Sequence, residues 1–328
     1  MKKLLTILCL LAITLYARAS TVTVESKSQT YDGTANKTFL EGNVKVKMDN
    51  MTLTSPRAVV DLTPEGKVEK ANFLDRVHAV KEEKDTRQEI RSDIMSMSLL
   101  DKKIRAEGNT ISTISEKDVP VVVLTANYQE YDTKAHLMKA IGNVIIHYQD
   151  VVATSNEATV KVDANNKPEK LKLIGNAVVT QKKSVITANT IMYNTKSKEF
   201  VACGNTHTHG VDEDDGSVFD IYSNLQQYDK VAKSLMAAGS VKMTYQNYIG
   251  EGPKATFLSN KKGKINELIF YGRSKVQEGD KIVEADKIRM TARPKTFRAE
   301  GNVKTSFKNV ESMSDPKNKN SGSFIDAK

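Results

Sequence analysis

The chain has 328 residues, with 49 lysines and arginines against 40 aspartates and glutamates, and it has no tryptophan. Its apolar content of 39% is below the usual share for a thick globular core. No run approaches the ~20 consecutive apolar residues that a membrane-spanning helix needs. The composition therefore excludes a bundle of such helices.

Residues 1–19 have the pattern of a secretory signal peptide. Lys2 and Lys3 precede an apolar stretch over residues 4–15, and the small-residue site Ala17-Arg18-Ala19 follows it. We predict cleavage after Ala19 and export of the mature chain; an uncut anchor is the alternative. Cleavage would leave Cys203 as the only cysteine, so no disulfide within the chain is expected.

A unit of about 33 residues recurs nine times along the rest of the chain. In most units apolar residues stand two and four positions before and after the centre, with largely polar or mixed residues between them. This period of two predicts a half-buried β-strand. A glycine inside a strand indicates a bend or bulge, so each strand is predicted to bend at its centre, with the glycine in the inward column. The centres are Gly42, Asp75, Gly108, Gly142, Gly175, Gly204, Gly239, Gly272 and Gly301.

A second type of strand lies between the glycine strands. Its pattern is an apolar residue, any residue, a small residue and then a polar residue, as in Leu124-x-Ala126-Asn127 and Ile221-x-Ser223-Asn224. The joints between strands are short and carry turn residues, which favours antiparallel neighbours. The sequence therefore predicts an all-β fold of about 18 long, bent strands joined as a meander. At ~4.8 Å per strand the sheet would extend for roughly 85 Å.

This alternation resembles a known family. Strands of the form x-G-N-V-x-V, such as Gly42-Asn43-Val44 and Gly301-Asn302-Val303, alternate with the second type behind a signal peptide. The pattern is similar to the periplasmic lipopolysaccharide-transport proteins of the OstA/LptA type, the OstA-like N-terminal domain family, from Val24 to about Val310. The resemblance implies a repetitive antiparallel β-jelly roll bent into a V-shaped open trough. The chain is about twice as long as a typical single-domain member.

The expected domains are the signal peptide over 1–19, the repeat domain over 20–310 and a disordered polar tail over 311–328. The resemblance implies a non-catalytic periplasmic bridge that carries lipopolysaccharide, or a related glycolipid, from the inner to the outer membrane for outer-membrane assembly. It further implies partners in both membranes that join by edge-strand addition, head-to-tail self-association, and no cofactor. The alternative is an exported structural or adhesive β-repeat protein with a closed core and no lipid ligand.

The candidate ligand-binding residues are the inward apolar residues beside the bent centres of the strands, which we call the corners. The resemblance places the acyl chains of lipid A against these residues. From the sequence alone, these rows either pack as an ordinary core or remain partly open. They are Leu40, Val44, Val46, Phe73, Ile104, Met138, Val144, Ile146, Leu171, Leu173, Val179, Phe200, Leu235, Val241, Met243, Leu268, Phe270, Val276, Phe297 and Val303.

Other chemistry has weaker support in the sequence. Cys203, His207 and His209 precede an acidic run at 212–215, but both histidines fall in outward columns, which favours a hydrated strand over a metal site. No catalytic motif is present, so we expect no enzyme. The export signal and the lack of a basic–aromatic cluster argue against nucleic acid. Outward lysines such as Lys45, Lys242, Lys275 and Lys304 either face anionic head groups or simply keep strand surfaces hydrated.

Overall fold

The computed structural model describes residues 22–163, 168–211, 216–229, 231–259, 265–292 and 295–308. The predicted signal peptide and polar tail lie outside these ranges. Within them the secondary structure is entirely β, and no helix is long and apolar enough to cross a membrane. The strands are β1 (Val22–Glu25), β2 (Ser28–Asp32), β3 (Lys37–Met48), β4 (Met51–Leu62), β5 (Val68–Glu83), β6 (Thr86–Ser98), β7 (Lys103–Glu116), β8 (Val119–Asp132), β9 (Leu137–Tyr148), β10 (Val151–Val162), β11 (Pro168–Gln181), β12 (Ser184–Asn194), β13 (Glu199–Val211), β14 (Val218–Asp229), β15 (Ser234–Tyr245), β16 (Tyr248–Ser259), β17 (Ile265–Glu278), β18 (Lys281–Ala292), β19 (Lys295–Glu300) and β20 (Lys304–Phe307).

The strands form one antiparallel meander. From β3 to β18 each strand pairs with the next, as β8 does with β9 and β9 with β10. The short strands β1 and β2 both pair with β3, and β19 and β20 both pair with β18. Each end of the sheet is therefore one bent strand in two pieces. The predicted fold of about 18 bent strands is confirmed, and the sheet remains open.

Every second strand from β3 to β17 carries a β-bulge at its predicted centre. Opposite β10, the two residues Gly142 and Asn143 face the single residue Asn156. Both have left-handed backbones, with φ of 77° and 49°. A bulge of this kind bends a strand and increases its twist. Asp75 and Arg76 adopt the same conformation without a glycine, with φ of 65° and 59°.

The missing glycine side chain points to the outer face. A Cβ atom built on Gly142 would lie 2.6 Å from Nδ2 of Asn127, and Asn127 is exposed. The prediction that the glycines belong to the inward column is therefore wrong. The bulge inserts one residue, which shifts the alternation between inward and outward positions, and the polar residue of the second strand type lies over the glycine.

The bulges divide the sheet into two walls. We call wall I the half that contains residues 137–141 of β9 and their neighbours across the sheet. Wall II contains residues 144–148 of β9 and their neighbours. The inner faces of the two walls pack against each other and form a jelly-roll trough. Their buried apolar residues form two clusters, one from Leu40 to Ala202 and one from Ile221 to Ile288.

Turns join the strands at the free edges of the walls. At wall II most are two residues long, such as Asp49-Asn50 and Gln149-Asp150. At wall I several are longer and are held by the last side chain of the preceding strand. The carboxylate of Asp132, for example, accepts backbone N–H groups of Lys134 and Ala135 at 3.0 and 2.7 Å. This local turn chemistry keeps the register of each hairpin.

Candidate functional site

The predicted ligand-binding residues lie on the inner faces of both walls. Val46, Leu171 and Leu235 are half-buried and pack against the two clusters. Phe297 and Val303 are 40% and 52% exposed, because they lie at the C-terminal edge, where no further strand covers them. The buried ones are Leu40, Val44, Phe73, Ile104, Met138, Val144, Ile146, Leu173, Val179, Phe200, Val241, Met243, Leu268, Phe270 and Val276.

The interior between the walls is nearly filled by side chains. The larger cavity has a volume of about 40 Å³ and is lined by residues of β6–β10, among them Gln129, Tyr131 and Ile146. The smaller has about 10 Å³ and lies within β9–β12, where Ile146 and Tyr193 contribute to its lining. A cavity that admits benzene measures roughly 150 Å³. An acyl chain therefore enters this interior only if the walls separate.

A polar cluster crosses the interior at β7 and β8. Gln129 of wall I accepts a hydrogen bond from Ser112 Oγ at 2.6 Å and donates one to Thr110 Oγ1 at 2.8 Å. Ser112 and Thr110 belong to wall II, and Thr110 also donates to the carbonyl of Ala126 at 2.7 Å. All three polar side chains are buried. We call this cluster the first polar crossing, because its hydrogen bonds join the two walls.

An equivalent cluster, the second polar crossing, lies at β13 and β14. Gln226 of wall I accepts a hydrogen bond from Thr208 and donates one to the carbonyl of Ile221, both on wall II, at 2.5 and 3.0 Å. Thr206 and Ser223 form a further hydrogen bond beside it at 2.8 Å. This crossing lies between the two apolar clusters.

Neither crossing was predicted from the sequence, although a signal exists. Thr110 and Ser112 follow Gly108 by two and four residues, and Thr206 and Thr208 follow Gly204 in the same way. Most other copies of the repeat have an apolar side chain at these two positions. The polar exceptions, together with a glutamine three residues after the small residue of the next strand, identify the crossings.

Tyr193 is a buried tyrosine on the inner face of wall I. Its side chain is 7% exposed, and its hydroxyl is buried without a hydrogen-bond partner. Burial raises the pKa of this hydroxyl above its ordinary value. A buried, unpartnered hydroxyl is unfavourable, so a ligand that supplies a hydrogen-bond acceptor beside it would satisfy it.

The outer face of β13 and β14 carries His207 and His209, which the sequence pattern predicted to lie on a hydrated strand rather than in a metal site. His207 Nε2 and His209 Nδ1 lie 2.7 and 3.0 Å from the same carboxylate oxygen of Asp220, and His207 stacks on Tyr222. Burial alone would raise the pKa of Asp220, but the two histidine hydrogen bonds outweigh it and lower that pKa. Among the described residues no group of three or more potential ligands could hold a metal ion, and the acidic run 212–215 is outside them.

Outward lysines near the C-terminal edge belong to a ladder of alternating charge. In the register of the sheet, lysine and glutamate alternate along one row of neighbouring strands. The row consists of Lys242 on β15, Glu251 on β16, Lys275 on β17, Glu284 on β18 and Lys304 on β20. At the other edge of the sheet, Lys45 is paired with Glu25 in the same row. Opposite charges in cross-strand positions stabilise a sheet, which accounts for these lysines without a ligand.

Glu130 is the centre of an ionic cluster on the outer face of wall I. It accepts hydrogen bonds from Lys103, Arg105 and Tyr128 at 2.9, 2.8 and 2.7 Å. Burial by itself raises the pKa of Glu130, but these three donors outweigh it and lower the pKa to about 2. The pKa of Tyr128 rises to about 12 through burial and the bond to Glu130. The cluster fixes β7 and β8 from outside, opposite the first polar crossing.

An open, folded antiparallel sheet with apolar inner faces is a β-jelly-roll trough. The family model described as "LptA/(LptD N-terminal domain) LPS transport protein" matches residues 23–199. Since this match covers more than half of the chain, the protein belongs to that family of lipopolysaccharide (LPS) transport proteins. This agrees with the family that the repeated strands resembled.

Among solved structures, the chain is similar to LptH of Pseudomonas aeruginosa, described as the LptA homologous periplasmic component of the conserved lipopolysaccharide transport device. The two chains are 12% identical, the similarity covers 40% of this chain and 97% of the other, and the TM-score is 0.34. Among curated proteins, none matches the chain.

Proposed function

We propose that this protein is a non-catalytic periplasmic bridge that carries LPS, with the acyl chains of lipid A between the two walls. The family to which the chain belongs supports transport of LPS. The predicted signal peptide supports export to the periplasm, with the mature repeat domain spanning 20–310 and a polar tail over 311–328. The observation that carries the proposal is the apolar inner surface that both walls present on almost every strand from β3 to β18.

The walls can separate without loss of the sheet. Backbone hydrogen bonds run between neighbouring strands within each wall, as between β9 and β10, and the walls meet through side chains. Opening the trough therefore exchanges side-chain contacts for acyl-chain contacts and leaves the ladders intact. Burial of apolar surface stabilises the bound acyl chain by about 25 cal/mol per Å². Because this interaction has no preferred direction, an acyl chain can move from strand to strand.

A closed structural or adhesive β-repeat protein is the second candidate. The small cavities favour it, since side chains already fill the interior between the walls. The two candidates differ in what the inner side chains contact when lipid is supplied.

Photocrosslinking with purified LPS separates the two candidates. A photoreactive residue replaces inward Val144 or Phe270 in one set of variants and outward Lys242 in the control. Labelling of the inward positions alone is the result expected for a carrier. Equal labelling of both faces, or none, contradicts the proposal and leaves the closed-core candidate.

The two ends of the sheet fit each other as a head-to-tail contact. The C-terminal edge is a glycine-type strand (β19 and β20) and the N-terminal edge is a strand of the second type (β1 and β2), so a second copy continues the alternation of the repeat. Rows of the sheet then place Lys304 opposite Glu25 and Phe297 opposite Tyr31. Both aromatic side chains are exposed. The same open edges suit strand addition by the inner- and outer-membrane partners.

A further inference from the structure

The two polar crossings divide the interior of the trough. We call the inner faces of β9–β12 the middle compartment, since the first crossing lies at β7–β8 and the second at β13–β14. A lipid tail that passes a crossing must part Gln129 from Ser112, or Gln226 from Thr208. These buried polar groups lose hydrogen bonds that an acyl chain does not replace. Within the compartment the tail meets apolar side chains such as Val144 and Leu173.

The middle compartment contains both a cavity and a buried polar atom without a hydrogen-bond partner. The smaller cavity lies wholly within β9–β12. The larger one meets it at Ile146 and extends past the first crossing to β6, with Gln129 in its lining. Tyr193 lines the smaller cavity, and its buried hydroxyl has no partner. Tyr193 also lies in the inward row next to the free edge of wall I, two residues before the turn residue Thr195. A tail inserted from that edge places its first polar atom near this hydroxyl.

We propose that the middle compartment is a discrete seat for one acyl tail, and that Tyr193 donates a hydrogen bond to the ester or amide carbonyl at the head of that tail. This inference rests on the proposed function, because it locates the first binding position of the lipid within the trough. The carbonyl is the acceptor that the hydroxyl lacks, and the apolar lining accommodates the hydrocarbon that follows. The compartment lies between barriers, so a tail pauses there rather than sliding freely along the chain.

The location is tested with three photoreactive variants in one row of wall I. Met97 lies on the N-terminal side of the first crossing, Leu171 in the compartment, and Leu268 on the C-terminal side of the second crossing. With LPS supplied at less than one molecule per protein, we expect Leu171 to label several-fold more than the other two. Equal labelling of all three overturns the compartment but leaves LPS transport standing. Labelling at none of them overturns the proposed function itself.

The role of Tyr193 is tested by two uncharged ligands that differ in one acceptor. Methyl dodecanoate has an ester carbonyl and dodecane has none; occupancy of the full mature protein is measured by native mass spectrometry. A hydrogen bond to the carbonyl favours the ester by about fivefold in the wild type, and Tyr193→Phe removes that preference while the alkane binds as before. The matched control is Tyr131→Phe, in the same row but with a side chain that has a partner.

The result that contradicts this role is an unchanged preference in Tyr193→Phe, or an equal loss in Tyr131→Phe. Failure of either compound to bind also overturns the seat. A thermal unfolding curve separates affinity from folding. Because Tyr193→Phe removes an unpartnered buried hydroxyl, the variant is expected to be at least as stable as the wild type.

Discussion

At the scale of single residues, the corners combine two separate requirements. Each corner glycine has a left-handed backbone, and a side chain of the preceding strand covers its Cα atom; that side chain is polar except at Gly272, where it is Pro253. At Gly142 the two effects coincide, with φ of 77° and with Asn127 Nδ2 only 2.6 Å from the position that a Cβ atom would occupy. In the turn after β4, Gly66 has φ of 78° and nothing within 4 Å. Gly66 is therefore a control site, at which an added side chain meets only the left-handed backbone and no steric contact.

Alanine at Gly142 is expected to cost more than alanine at Gly66. Gly66→Ala meets only the left-handed penalty and should lower the free energy of unfolding by about 1 kcal/mol. Gly142→Ala also displaces Asn127 and should lower it by about 2–3 kcal/mol. Urea denaturation measures both. Asn127→Gly should recover part of the loss in the Gly142→Ala background but none in the Gly66→Ala background; equal costs at the two sites would contradict the contact.

Glu130 makes the free energy of unfolding depend on pH in the acid range. Its pKa is about 2 in the folded protein against an ordinary value of 4.5, so its contribution is complete above 4.5 and is lost as the pH falls from 4.5 to 2. Denaturation curves across this window should show a smaller loss of stability for Glu130→Gln than for the wild type. Parallel losses in the two proteins would show that the cluster does not contribute.

At the scale of elements, the polar crossings oppose separation of the walls. Most of the other buried side chains between the walls are apolar and do not select a register, whereas Gln129 bonds to particular partners on β7. Buried polar networks that are fully satisfied specify one arrangement of a core. The crossings therefore mark where the trough resists opening, and β9–β12 between them contain neither crossing.

Removal of one crossing should destabilise the protein and make opening easier. Gln129→Leu leaves Ser112 buried without its partner and should lower the free energy of unfolding by about 1–3 kcal/mol. Gln88→Leu is the matched control, since the side-chain oxygen of this buried glutamine has no partner; it should be neutral or stabilising. Amide hydrogen exchange and denaturation measure the two variants. A cost for Gln88→Leu as large as that for Gln129→Leu would rule out the specific role of the crossing.

At the scale of the whole molecule, the two edges are the sites that remain open to partners. Edge strands expose unpaired backbone groups and invite strand addition. Here they also carry exposed apolar side chains, Val22 at one end and Phe307 at the other. The charge ladder ends in Lys304 at the C-terminal edge, and its row begins with Glu25 at the N-terminal edge.

Charge reversal tests the head-to-tail contact in the proposed register. Glu25→Lys or Lys304→Glu alone places like charges opposite each other, which costs about 0.2–1 kcal/mol, or about 1.4- to fivefold in the dissociation constant. The double variant should restore the wild-type value. Sedimentation over a range of concentrations measures the association. A strict monomer at high concentration, or losses that add in the double variant, would contradict the contact.

The sequence by itself determined the number of strands, the positions of the corners and the inward rows. These features follow from side-chain alternation and from glycine, which act within a few residues. The direction of the missing glycine side chain was not predicted correctly, because the bulge shifts the alternation. Whether the interior is open or filled, how Gln129 and Gln226 join the walls, and that the hydroxyl of Tyr193 has no partner were decided by the tertiary structure alone. Each depends on the distance between the two walls. The polar exceptions in the repeat mark where Gln129 and Gln226 lie, but no local pattern encodes how far apart the walls are.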